Sequence, residues 1–363
     1  MSRIAAVRSA LPPHRHRQAE LAEAAAELCA LPDPRRQVLE RLYANAGVRT
    51  RHTVLELPDY KRLDGLGPTN DLYIEHATGL GAEAVGGALR AAGVRPQDVD
   101  LFVTTSVTGV AVPSLDARLV PLLGMRPDVK RVPMFGLGCV AGAAGLSRIH
   151  DYLQAWPGHT AVLLAVELCS LSVPLANPTL PDLVGSALFG DGAAAVVVRG
   201  AQCPAEDSGD GDGTGTGPAP RILATRSELC PGTHDALGWH LGSHGFRIVL
   251  TAELAEIVER ELGGLVGRFL ADHRLQTSDV AAWVVHPGGP KVIDAVRDSL
   301  ALTEDRVATA RRSLAEVGNL SSASVLHVLG KTLVEPDTPP GPLVMVGLGP
   351  GVSIELLLLE RAA

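Results

Sequence analysis

Aromatic side chains are scarce in this chain. Phe, Trp and Tyr together make up 3% of its 363 residues, which leaves no series of stacking platforms for nucleic-acid bases. An excess of basic charge is also missing: 32 Lys and Arg stand against 40 Asp and Glu, a net charge of −8. That balance argues against broad nucleic-acid binding and leaves room only for a local basic mouth. The five cysteines, at 29, 139, 169, 203 and 230, are odd in number and contain no CxxC spacing, so neither a zinc ribbon nor a dithiol redox pair is encoded. They fit a reduced chain, and a cytoplasmic location is expected. The opening MSRIAAVRSALPPHRHRQAELAEAAAEL has no unbroken apolar signal core, and no later segment reaches the ~20 apolar residues of a membrane span. What is present is the ordinary material of a globular enzyme, 46% apolar and 20% charged, and the length suggests two domains or one large fold.

Strand-like runs (DLFVTTS, AVLLAVEL, AAAVVV, AAWVVH, PLVMVG, IELLLL) alternate with longer helical stretches such as IEHATGLGAEAVGGALRAAG and AELAEIVERELGGLVGRFLADH, a pattern that predicts an α/β fold. Residues 201–220, AQCPAEDSGDGDGTGTGPAP, read as a mobile surface connection. The order of elements repeats on either side of it. A first half over 1–200 runs long helix, QDVDLFVTT, GCVAGAAGL, AVLLAVEL, GDGAAAVVV; a second over 221–363 runs long helix, SDVAAWVVH, GNLSSASVL, PLVMVG, GVSIELLLL. Cys139 follows Thr104 by 35 residues and Asn319 follows Val285 by 34, so the two occupy equivalent places at the starts of equivalent helices. Two such halves would set two small-residue helices side by side. Close packing would then offset the cost of ~1 kcal/mol per helical glycine.

The chemistry-bearing residues sit at these equivalent points. Cys139, in MFGLGCVAGAAGL, begins a helix whose positive end favours thiolate; as a lone cysteine it reads equally as inert packing, and GLGCVA also meets a loose dinucleotide pattern that lacks its acidic partner. His286 ends a strand before PGGP, at the edge where α/β folds place ligands, although a plain turn histidine has the same signature. Asn319, before serines, is either a helix cap or a site amide. Phe189, beside Asp191 in LFGDG, is either core or the wall of a cleft. The GLGPG loop, with Gly349, Pro350 and Gly351, would let backbone pass close to a ligand. His234, His240 and His244 have one metal-like i, i+4 pair, but Gly242 and Gly245 break the helix that this spacing needs, so no metal site is expected. Arg49, Arg51 and Lys291 could meet phosphates.

GLGCVAGAAG, LFGDGAAA, HPGGP, GNLSSASVL and GLGPG, in this order and over nearly the whole chain, resemble the type III polyketide synthases, the chalcone-synthase-like branch of the thiolase fold. TTSVTGVAVPSLDAR is most similar to bacterial members that make alkylpyrones and alkylresorcinols. The resemblance implies a five-layered αβαβα fold of two duplicated halves and a homodimer. It implies CoA thioesters as substrates, acyl-CoA as starter and malonyl-CoA as extender, with no metal or redox cofactor. Cys139 would carry the acyl chain, and His286 and Asn319 would stabilise the enolate left when malonyl loses carbon dioxide. His286 would pair with Cys139 as imidazolium and thiolate. Phe189 matches a phenylalanine at the junction of the CoA tunnel and the cavity. Ile248 falls where the family has a second phenylalanine and would widen the passage, and Ser172 and Ser321 match positions that shape the pocket. Val112 before Pro113 takes the place of a methionine that reaches across the dimer. Arg49, Arg51 and Lys291 are assigned to CoA. These departures predict an aliphatic starter and a pyrone or resorcinol-type product. A single-round ketoacyl synthase, a silent binding member of the fold and a papain-like hydrolase are the alternatives.

Overall fold

The computed structural model describes residues 1–172, 177–204, 219–242, 245–251, 253–336 and 338–362. Most of the 201–220 connection, and His244, therefore lie outside the described residues. The strands are β1 (Ser2–Ala10), β2 (His14–Arg17), β3 (Thr50–Thr53), β4 (Leu101–Thr105), β5 (Lys130–Met134), β6 (Thr160–Leu168), β7 (Asp191–Gly200), β8 (Arg221–Leu229), β9 (Leu237–Gly242), β10 (Gly245–Leu250), β11 (Ala282–Val285), β12 (Gly341–Gly349) and β13 (Ser353–Arg361). The α-helices are α1 (Gln18–Leu28), α2 (Asp33–Asn45), α3 (Leu66–Ala91), α4 (Leu115–Leu123), α5 (Ala141–Ala155), α6 (Leu180–Leu188), α7 (Leu254–Asp272), α8 (Pro290–Ser299), α9 (Ala308–Val317) and α10 (Ser324–Val334).

The strand order β11-β12-β13-β8-β1-β7-β6-β4-β5 contains one arrangement twice. In the first half β4 and β6 run parallel, β6 and β7 antiparallel, and β7 and β1 antiparallel. In the second, β11 and β12 run parallel, β12 and β13 antiparallel, and β13 and β8 antiparallel. Among the described residues the half-sheets meet where Ser2 pairs with Ile222 and Arg3 with Arg221.

Side chains alternate across each strand, and the alternation builds three separate cores. Ala194, Val196 and Val198 of β7 face the same interior as Leu357 and Leu359 of β13, Leu146 and Ile149 of α5, and Leu326 and Leu329 of α10. The opposite faces of the half-sheets pack outward, Ala193, Ala195 and Val197 against α3 and Leu356 and Leu358 against α7 and α8. The result is a thiolase-like five-layered stack with α5 and α10 in the middle. Strands buried on both faces need continuous apolar runs rather than alternating ones, which is why AVLLAVEL and AAAVVV read as they do.

The glycines of α5 serve that middle layer. A Cβ at Gly142 would come 2.2 Å from the carbonyl oxygen of Ser322, at the start of α10. Only a residue without a side chain lets the two helices approach this closely.

Candidate active site

Cys139 sits in a single 3-10 turn, Gly138–Val140, ahead of α5. Gly138 holds φ at +54°, and a Cβ there would overlap the Pro350 ring at 2.5 Å. At Gly349 a Cβ would lie 2.7 Å from the Val140 nitrogen. The GLGPG loop thus presses its backbone onto the turn that carries the cysteine. Gly349 lines the cavity that Cys139 opens into, whereas Pro350 and Gly351 are not among its walls.

That cavity gathers Cys139 with His286 and Asn319 inside mainly aliphatic walls, among them Leu188, Leu254, Val258 and Val292, with Phe189 at one side. His286 directly follows β11, its backbone nitrogen donating to the Val346 oxygen at 2.9 Å. Its side chain is 3% exposed, and Nδ1 has no hydrogen-bond partner among the described residues. Asn319 joins the two halves: its nitrogen donates to the Leu188 oxygen, and its own oxygen accepts from Gly190. Its Oδ1 accepts from the Ser321 nitrogen at 2.8 Å and from Ser324 Oγ at 3.1 Å, and Nδ2 donates to the Gly288 oxygen at 3.2 Å. Capping and site geometry are therefore one arrangement. The oxygen is consumed at the start of α10, and Nδ2, with one of its two hydrogens engaged, is the polar group left for the cavity. Ser321, held at φ +49°, accepts from Cys139 Sγ at 3.5 Å.

Burial governs the charges. Desolvation pushes the Cys139 thiol up to about 12, with its hydrogen bond to Ser321 opposing and the charge of Glu167 adding to the rise. Desolvation alone lowers His286 to about 4. The thiolate expected from the helix end is thus not the resting form, because apolar walls outweigh one helix terminus. Glu167 is an acid missed in the sequence, although its place at the end of AVLLAVEL was a signal. It is fully buried on β6 and accepts from Ser106, Val107, Thr108 and Ser322.

Phe189 and Ile248 also wall a second chamber, with Cys169, Ser172, Asp182, Ser186 and Trp239. Trp239 was not singled out in the sequence. It pairs with Ile248 across β9 and β10, and its ring lies 6.4 Å from that of Phe189. An aromatic ring on the neighbouring strand thus stands directly beside Ile248.

The assignment of Arg51 to CoA is overturned. Its side chain is 5% exposed and donates to Gln18 Oε1 and to the carbonyls of Ser186 and Phe189. It lies between Gly190 and Gly318, where a Cβ would come 3.6 Å and 2.9 Å from it. A guanidinium spent on internal carbonyls has no fork to offer a phosphate. Arg49 and Lys291 are exposed, and the turn before Arg49 adjoins the start of α8, since a Cβ at Gly47 would touch Pro290 at 3.0 Å. Val112 is 89% exposed and borders neither cavity. Among the described residues no cluster of His, Cys, Asp or Glu could hold a metal ion, and no helix is long and apolar enough to cross a membrane.

Comparison with known proteins gives the same picture. The profile for chalcone and stilbene synthases, N-terminal domain, matches residues 1–203, and that for the C-terminal domain matches 221–362. A 1,3,6,8-tetrahydroxynaphthalene synthase of Streptomyces peucetius subsp. caesius is 50% identical over 358 residues, covering 98% of this chain and 92% of that protein. A 3,5-dihydroxyphenylacetyl-CoA synthase of Streptomyces toyocaensis is 32% identical over 328 residues, 88% of this chain and 81% of that one. The crystal structure of 1,3,6,8-tetrahydroxynaphthalene synthase from Streptomyces coelicolor A3(2), described as a bacterial type III polyketide synthase, superposes with a TM-score of 0.90 at 29% identity over 99% of both chains. Matched along both halves by the same family, the chain belongs to the chalcone and stilbene synthases and is a type III polyketide synthase, an acyltransferase that forms carbon–carbon bonds by Claisen condensation.

Proposed function

We propose that Cys139, His286 and Asn319 form the catalytic centre, that malonyl-CoA serves as both starter and extender, and that the product is a polyhydroxylated naphthalene. The observation that carries the catalytic assignment is that all three side chains open onto one apolar cavity. Sγ attacks the starter thioester while its proton passes to the neutral His286 imidazole, and the CoA thiol leaves with that proton. Making sulfur anionic and imidazole cationic together costs less than making either alone, because their attraction in a low-dielectric cavity offsets the desolvation of each. When a malonyl unit loses carbon dioxide, negative charge develops on its thioester oxygen. Asn319 Nδ2–H and the protonated His286 nitrogen would bind that oxygen, and a donor so placed is worth roughly 3–4 kcal/mol of barrier. The enolate carbon then attacks the acyl group on Cys139, sulfur leaves, and the lengthened chain returns to it for the next round.

The product reading is supported by the 50% identical relative. The name 1,3,6,8-tetrahydroxynaphthalene places oxygen on alternate carbons, the mark of two-carbon units joined head to tail. Trp239 beside Ile248 narrows the passage and favours a compact, enolised chain over a long alkyl one. A role for Arg49 and Lys291 at the CoA mouth is supported by their exposure on neighbouring segments. A homodimer is supported by exposed apolar residues on and beside the unpaired edge of β5: Val132, Phe135 and Leu137 are 42%, 59% and 38% exposed, with Val112 at 89%.

Mass spectrometry of products from malonyl-CoA, alone and with acyl-CoA starters of increasing length, tests the proposal. Malonyl-CoA alone is expected to give carbon dioxide and a hydroxylated naphthalene. Products only with long acyl starters, as pyrones or resorcinols, would overturn the product assignment, and no condensation from any mixture would overturn the catalytic one.

A further inference from the structure

Asp182 lies beyond the centre just described, in the first turn of α6, and is 2% exposed. Its two oxygens are in different situations. Oδ2 accepts from the Thr179 nitrogen and Thr179 Oγ1, both at 2.8 Å, and from Arg247 at 3.3 Å. Oδ1 is buried with no hydrogen-bond partner among the described residues. An unmet buried carboxylate oxygen is expensive, so its persistence calls for an explanation.

None of the walls around it donates to Oδ1. Asp182 lines the second chamber, where Ser186 Oγ already donates to the Leu183 oxygen and Ser172 Oγ to the Thr108 oxygen. The remaining walls are Cys169, Gly185 and the apolar or aromatic Phe189, Trp239 and Ile248. This chamber borders the Cys139 cavity at Phe189 and Ile248. A molecule that suits it is flat and apolar with a hydroxyl group at one edge.

We propose that Asp182 is a specificity-determining residue whose Oδ1 accepts a hydrogen bond from an enol of the growing polyketide, or from a phenol of the aromatic product, held in this second chamber. The assignment to polyketide rests on the synthase reading above; the affinity of the chamber for a hydroxylated ring does not. With Oδ2 fixed by the α6 cap, Oδ1 has a set direction, and an enol hydroxyl bonded to it holds the chain in one fold before ring closure.

The test uses 1,3-dihydroxynaphthalene and naphthalene as probes, titrated against the full-length protein by calorimetry and by quenching of tryptophan fluorescence. Wild type is expected to bind the dihydroxy probe more tightly. Asp182→Asn keeps an oxygen for the α6 cap and turns a donor toward the chamber, so it should weaken the dihydroxy probe about tenfold, the ordinary scale for a hydrogen bond to a charged group, and leave naphthalene unchanged. Asp182→Ser, which retains a capping oxygen and lacks the second one, should do the same. Thr179→Ala, which disturbs only the Oδ2 side, should leave both affinities as they are. In turnover, the products that Asp182→Asn forms from malonyl-CoA should shift toward other ring closures. Equal binding of the dihydroxy probe by wild type and both Asp182 variants, or parallel loss of both probes, overturns the proposal. If wild type makes no condensed product but the probe result holds, the synthase reading fails and the site stands.

Discussion

At the scale of single residues, His286 is the group that decides whether Cys139 can react at neutral pH. Burial, with the charge of Glu167 adding to it, holds the thiol at about 12, so without a proton acceptor in the cavity the reactive thiolate is a negligible fraction at pH 7. His286→Gln should therefore slow alkylation of Cys139 by iodoacetamide at pH 7 by at least about a hundredfold, read as mass-resolved labelling against the other four cysteines. Equal rates in the two proteins would show that the imidazole does not take the thiol proton. Arg51 makes a separate case, because it touches the carbonyls of Ser186 and Phe189 and packs on Gly318, next to Asn319. Lysine keeps the charge but cannot reproduce the fork. Arg51→Lys should lower kcat for malonyl-CoA decarboxylation on the order of tenfold to a hundredfold through misplacement of Phe189 and Asn319. It should leave KM for malonyl-CoA within about twofold, since no CoA phosphate is lost. A raised KM at unchanged kcat would restore Arg51 to the CoA mouth.

At the scale of elements, the middle layer is the part with least tolerance. A Cβ at Gly142 would sit 2.2 Å from the Ser322 carbonyl, and backbone cannot yield as a flexible side chain can. Gly142→Ala should cost about 1–3 kcal/mol as overpacking and separate the turns that carry Cys139 and Ser321, so both melting temperature and condensation rate should fall. Gly67→Ala, in the first turn of α3 with nothing within 4 Å of its Cβ, should be neutral or slightly stabilising, because alanine is the better helix former. This layer was legible in the sequence, since GCVAGAAGL and GNLSSASVL stand at matching distances from their strands. The elements around the second chamber were not. β9 and β10 are short strands paired only with each other, and GWHLG and GFRIVL give them no clear alternation, so the placement of Trp239 opposite Ile248 emerges only with the register. The role of Arg51 was hidden for a related reason: an arginine among GVRTRH looks like a solvated charge until distant carbonyls are brought to it.

At the scale of the whole molecule, burial moves the titration of several groups away from their ordinary ranges, and this confines stability from both sides. His286 and His327 are lowered to about 4, chiefly by burial. Above pH 6.5 each is neutral folded or unfolded and contributes nothing; as pH falls from 6.5 towards 4 the unfolded chain takes up protons that the fold refuses, and stability drops. Each histidine can remove at most roughly 3 kcal/mol over that window. Asp191, raised to about 6 by burial, acts oppositely, because the fold keeps a proton that the unfolded chain has released, so it recovers part of the loss between pH 6 and 3.8. At the alkaline end Cys139, Cys169, Tyr60 and Tyr73 are all raised by burial. There the unfolded chain sheds protons first, and stability falls as pH climbs above 9. Urea denaturation followed from pH 4 to 10 should accordingly show a plateau between about pH 6.5 and 9 with losses on both flanks. His327 is the group to vary, since it lies on α10 hydrogen-bonded to Ser9 and outside the walls of the Cys139 cavity. His327→Gln should flatten the acid flank, so that wild type and variant converge or cross as pH drops from 6.5 to 4. Parallel curves over that range would mean that His327 is protonated as readily in the fold as in the unfolded chain.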